Sequence, residues 1–251
     1  MGVVQTMHFT ENQWYGYRRV DFIFQGREAL LVFPNQAADG NPWAQYTEYF
    51  DAFPATALAL VEKGYYLAFI KNCHRWGNEE DYQLKKAFRD YLVAEYGLSC
   101  RSTLLGMSCG GMIAIHLAAR YPEMVEALYL DAPVINLLSC PFAMGIAQRD
   151  DILAQECLDA LGMTISEMIG FRGNPLDEIT TLVKEKIPVI LVYGGNDMLV
   201  PYTENGKLLE EAYRTANLPI CVWEKPECGH HPHGLQDPGP VVAQLEYWRQ
   251  R

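Results

Sequence analysis

The chain has 251 residues, 49% of them apolar and 20% charged, with a formal net charge of −11. That length suffices for one α/β domain with a large core. The acidity argues against a nucleic-acid or anionic-membrane surface, since either would repel it. No apolar run approaches the length of a membrane span, and the opening "MGVVQTMHFTENQW" lacks the basic start and apolar core of a secretory leader. "MGVVQT" also fits the short N-myristoylation pattern through Gly2 and Thr6, a pattern frequent by chance. Seven scattered cysteines without paired spacing fit reduced thiols in a cytoplasmic protein.

In chain order, "RRVDFIF" and "EALLVFP" read as strands joined by a hairpin signal, "QGR". "NQAADGNPW" is a loop by composition, and a helical stretch follows from about Tyr46 to Lys63. "GYYLAFIKN" reads as a buried strand. "NEEDYQLKKAFRDYLVAEYG" reads as a helix, capped by Asn78, acidic in its first turn and ended by Gly97. The alternation continues through the strands "STLLG", "VEALYLDAP", "IPVILVYGG" and "ICVWEK". The helices "GGMIAIHLAARYP", "ENGKLLEEAYRTANLP" and "GPVVAQLEYWRQR" lie between and after them. Strands alternating with helices predict an α/β fold, a mostly parallel sheet covered on both faces. Between "DAPV" and "IPVIL" the connection is far longer than a usual crossover. Its short helical patterns predict a lid over residues 136–186 within a single domain 1–251.

Three loops after strands carry chemistry, as expected at the carboxyl edge of an open α/β sheet. In "GMSCGG", Gly106 and Gly110 permit a sharp strand-to-helix turn that presents the Ser108 hydroxyl. The backbone N–H of Cys109 would then face a developing oxyanion at the start of the helix. In "YGGNDMLVP", the Asp197 carboxylate is suited to fix an imidazole tautomer; its bland role is an Asx-turn. "KPECGHHPHGLQDP" holds His230, His231 and His233, one of them a suitable general base near neutral pH. Each type is common alone. Serine, then aspartate, then histidine, each behind a strand, is far more specific.

With "LLGMSCGGMIAIHLAARYPEMVEALYLDAP", "GGNDMLVP" and "ECGHHPHGLQDP", the chain resembles the α/β-hydrolase superfamily over nearly its whole length. The stretch "GNPWAQYTEYFDAFPATALALVEKGYYLAFI" is also similar to bacterial serine esterases associated with carbohydrate metabolism. The resemblance implies Ser108 as nucleophile, Asp197 as acid and His230 as base, with His231 the alternative and His233 holding the loop. It places a second oxyanion donor after "LLVFPNQ". Many family members have a His-Gly pair there; this chain has Pro34-Asn35, which points to the backbone N–H of Gln36.

Trp43, just beyond, is an aromatic suited to a sugar ring. His74 and Trp76, in "NCHRWGNEED" after a strand, are expected to line the pocket. Cys109 is expected to be a small buried residue, and His116 a core histidine. The spacing of Cys228 with the three histidines matches no common structural metal site, and no nucleotide-binding motif appears. The expected protein is a cofactor-free serine carboxylic ester hydrolase acting on a small-molecule ester, with no nucleic-acid or membrane partner. A peptidase or thioesterase of the same fold is the alternative. A non-catalytic small-ligand binding protein is a further one.

Overall fold

The computed structural model describes residues 9–250, so the Gly2 and Thr6 myristoylation pattern lies outside the described residues. Its sheet comprises β1 (Phe9–Trp14), β2 (Tyr17–Phe24), β3 (Arg27–Val32), β4 (Trp43–Tyr46), β5 (Tyr66–Ile70), β6 (Ser102–Met107), β7 (Val125–Asp131), β8 (Val189–Gly194) and β9 (Ile220–Lys225). The spatial order is β1-β2-β3-β5-β4-β6-β7-β8-β9. β1, β2 and β3 form an antiparallel meander, and β3 runs antiparallel to β5. From β5 across to β9 the strands are parallel.

Period-two alternation sends neighbouring side chains to opposite faces. Leu104 of β6 and Leu191 of β8 join one core; Leu105 and Val192 join the other. The first core is covered by α3 (Cys109–Arg120), α6 (Ile179–Glu185) and α7 (Gly206–Thr215), through Ile113, Leu182 and Tyr213. The second is covered by α1 (Ala55–Glu62) and α8 (Gly239–Arg249), through Leu60 and Leu245. α2 (Glu79–Tyr96) packs Phe88 and Leu92 on the meander end. Its caps follow the sequence: the Asn78 side chain accepts from the Asp81 N–H at 2.8 Å, and Gly97 takes the left-handed conformation at φ 63°.

Two differences from expectation matter for the site. β4 is a strand where a loop and then a helix were expected; α1 begins only at Ala55. The stretch between carries positive φ at Tyr49, Asp51 and Phe53, which no helix tolerates. Within the long connection 132–188 lie α4 (Asp151–Leu161), α5 (Ile165–Ile169) and α6. α6 contacts α3 and α7, and its Leu182 is fully buried, so it belongs to the layer on the sheet.

Candidate active site

Ser108 follows the last residue of β6 and precedes α3, with φ 52° and ψ −122°. A non-glycine residue adopts such a conformation only where its surroundings over-determine it. Here the Ser108 N–H donates to the Asp131 carbonyl at 3.0 Å. The Ser108 carbonyl accepts from Gly111 at 2.9 Å and Val134 at 3.0 Å. The flanking glycines are required by close approach. A Cβ on Gly111 would stand 2.4 Å from the Pro133 Cβ, and one on Gly106 would stand 2.8 Å from the Gly110 carbonyl oxygen. The elbow is packed too tightly to relax.

The loops after β8 and β9 bring two side chains to the serine. His230 Nε2 lies 3.1 Å from Ser108 Oγ, and its Nδ1 lies 2.8 Å from Asp197 Oδ2. Asp197 is buried, and its other oxygen, Oδ1, accepts from the Leu199 and Val200 N–H groups at 2.9 and 2.8 Å. The Asx-turn and the partner to histidine are thus the work of different oxygens. Burial pushes the Cys109 thiol up to about 11, so it stays neutral.

The neighbouring histidines have other surroundings. His231 is exposed and stacks on Phe53, with centroids 5.5 Å apart. His233 is buried, with Nδ1 2.8 Å from Asp131 Oδ1. The three offer nitrogens within 4.8 Å of one another, the geometry of a possible metal cluster. Yet both nitrogens of His230 and one of His233 face protein partners, so the set fits a resident metal poorly. Cys228 is not part of that group.

The other expected site residues divide by sheet edge. Because β3 is antiparallel to β5, the loop after it emerges at the amino edge of the parallel strands. There the Gln36 carbonyl packs beside Gly64, two residues before β5, at the end of the sheet opposite Ser108. Trp43 is fully buried at the start of β4, its indole N–H on the Ser99 carbonyl at 2.9 Å, and it is likewise remote from the serine. His74 and Trp76 sit at the correct edge but do not line the cavity at Ser108. His74 turns Nε2 to the Asn78 amide, and Trp76 is buried with its indole N–H on Glu156. His116 is a buried core residue beside Glu178, as expected.

The cavity at Ser108 has a volume of about 250 Å³. Its walls include Tyr49, Phe53, Arg75, Cys140, Leu153 and Leu199. Tyr49, Phe53 and Arg75 were missed in the sequence. The signal for Tyr49 was the short strand β4, whose carboxyl end delivers the turn 47–49 beside α3. Thr47 fastens that turn by donating its hydroxyl to the Gly110 carbonyl at 2.6 Å.

Residues 72–249 match the Esterase family, described as "Putative esterase". The acylamino-acid-releasing enzyme of Mus musculus is 28% identical over 242 residues, 85% of this chain and 31% of that protein. The Sus scrofa enzyme of the same name is 26% identical over 61% of this chain and 21% of its own length. This chain therefore spans under a third of each curated relative. Among solved structures, an S-formylglutathione hydrolase from Agrobacterium tumefaciens superposes with a TM-score of 0.66 at 13% identity, covering 98% of this chain and 99% of its own. The acylaminoacyl peptidase of Pyrococcus horikoshii gives 0.65 at 12%, covering 99% of this chain and 41% of its own. These structures share the α/β-hydrolase fold with this chain.

Proposed function

The chain belongs to the Esterase family, and from that premise we propose that it is a serine carboxylic ester hydrolase working through Ser108, His230 and Asp197. The observation that carries this reading is the strained Ser108 with its Oγ 3.1 Å from His230 Nε2. As the hydroxyl attacks the ester carbonyl carbon, His230 Nε2 takes its proton, and Asp197 stabilises the imidazolium through Nδ1. The carbonyl oxygen becomes an oxyanion, which accepts a hydrogen bond from the Cys109 N–H at the start of α3. The turn after β4, whose Tyr49 lines the cavity, is assigned the second donor in place of Gln36.

Collapse of that intermediate breaks the ester bond, and the leaving alcohol takes the proton from His230. Water, deprotonated by the same histidine, then attacks the acyl-enzyme. The acid leaves and the Ser108 hydroxyl is restored. The modest cavity, walled mainly by apolar side chains, supports short acyl groups, such as those on acylated sugars or glycosides.

Initial rates on p-nitrophenyl esters from acetate to octanoate test this. Activity should favour the short chains and fall by ~10⁴-fold or more in Ser108→Ala. Hydrolysis that survives the substitution would refute it. The curated relatives favour one second reading, release of an acylated amino acid from a peptide. Cleavage of acetylated peptides faster than of matched esters would select it.

A further inference from the structure

Among the described residues lining the cavity, Arg75 is the only one with a permanent charge, in a protein whose formal net charge is −11. It stands on the loop after β5, at the same sheet edge as Ser108. Its Nε forms an ion pair with Glu156 Oε1 of α4 at 2.8 Å, and the same oxygen accepts the Trp76 indole N–H at 3.2 Å. The guanidinium also lies near the Tyr49 ring, with Cζ 5.9 Å from its centroid. Glu156 of α4 and Tyr49 therefore flank the guanidinium. The Arg75 side chain is nonetheless 40% exposed.

The Tyr49 side chain also hydrogen-bonds this guanidinium, and its planar fork, partly open to the cavity, has the shape that carboxylates take in a bidentate pair. A cavity for plain acyl chains needs no such group.

We propose that Arg75 is a specificity residue that binds a carboxylate carried by the ester substrate, so that the preferred substrate is an anionic ester. This rests on the ester-hydrolase reading above. Two pairs of compounds separate a carboxylate on the acyl part from one on the alcohol. The acyl pair is p-nitrophenyl hydrogen adipate against p-nitrophenyl hexanoate. The alcohol pair is p-acetoxyphenylacetate against its methyl ester.

In at least one pair the anionic member should have the higher kcat/KM, by about tenfold for a half-exposed guanidinium. Arg75→Gln should bring that ratio to near unity or below. A ratio of one or less in both pairs for the native protein overturns the proposal while leaving the esterase reading intact. So does a ratio that Arg75→Gln leaves unchanged. A second measurement needs no turnover. Calorimetric titration of adipate into Ser108→Ala should show saturable binding that is lost in the Ser108→Ala, Arg75→Gln double variant. No binding, or equal binding to both, would also refute it.

Discussion

Two histidine–aspartate pairs stand side by side at the carboxyl edge of the sheet. Both are 2.8 Å contacts through Nδ1, and the two imidazole centroids are only 4.9 Å apart. The Asp197–His230 pair turns its far nitrogen to Ser108. Among the described residues, no serine is hydrogen-bonded to the Asp131–His233 pair. Asp131 is fully buried at the end of β7 and also accepts from the Gly234 N–H, with the Lys225 ammonium 3.5 Å away. That ammonium donates to the Pro232 carbonyl at 2.7 Å, so this second pair fastens the loop that carries the first. A histidine–carboxylate contact is therefore not in itself a mark of chemistry. What stands at the far nitrogen decides.

The largest test of this contrast is Asp197→Asn. It should preserve the fold and lower kcat by about 10⁴-fold, because the amide leaves His230 in the wrong tautomer and its imidazolium unsupported. Steady-state kinetics on a short-chain p-nitrophenyl ester would measure it, and a loss under tenfold would break the contrast.

His233→Asn should do the reverse. Urea unfolding should show a loss of about 1–3 kcal/mol, as the buried Asp131 carboxylate loses a partner, while kcat falls by no more than about tenfold. A large kinetic loss at unchanged stability would give the second pair a part in the reaction.

The smallest effect concerns His231. Partial desolvation of this exposed ring where it stacks on Phe53, and then the neighbouring His230 and His233, hold its imidazole below the ordinary histidine value. The unfolded chain therefore binds this proton more readily, so its contribution to stability is present above the ordinary value near 6.5 and is lost as pH falls below it. Thermal unfolding between pH 7 and pH 5 should show a shallower acid slope in His231→Gln than in the native protein. Identical slopes would remove the histidine from the acid response.

Much of this architecture was legible in the sequence. The helix α2 declared both ends through Asn78 and Gly97, and the glycines of "GMSCGG" announced a turn that only close backbone approach explains. Serine and aspartate fell behind strands with buried apolar runs, and histidine behind the half-buried β9. What was hidden was β4, four residues wedged between Pro42 and the irregular stretch 47–54. Without it the second oxyanion position was assigned to the loop after β3, and Gln36 and Trp43 were placed at the wrong edge. A strand's direction depends on its neighbours in the sheet, and local pattern does not record that. Arg75 was missed for a related reason. His74 and Trp76 look more chemical in one dimension, but the loop after β5 turns them to Asn78 and Glu156 and gives the cavity to the residue between.

The most direct measurement is labelling with a fluorophosphonate probe, followed by peptide mass mapping of the native protein and His230→Ala. The account predicts one phosphonyl adduct, on Ser108, strongly diminished when His230 is removed. An adduct on another residue, or a folded native protein that takes none, would contradict it.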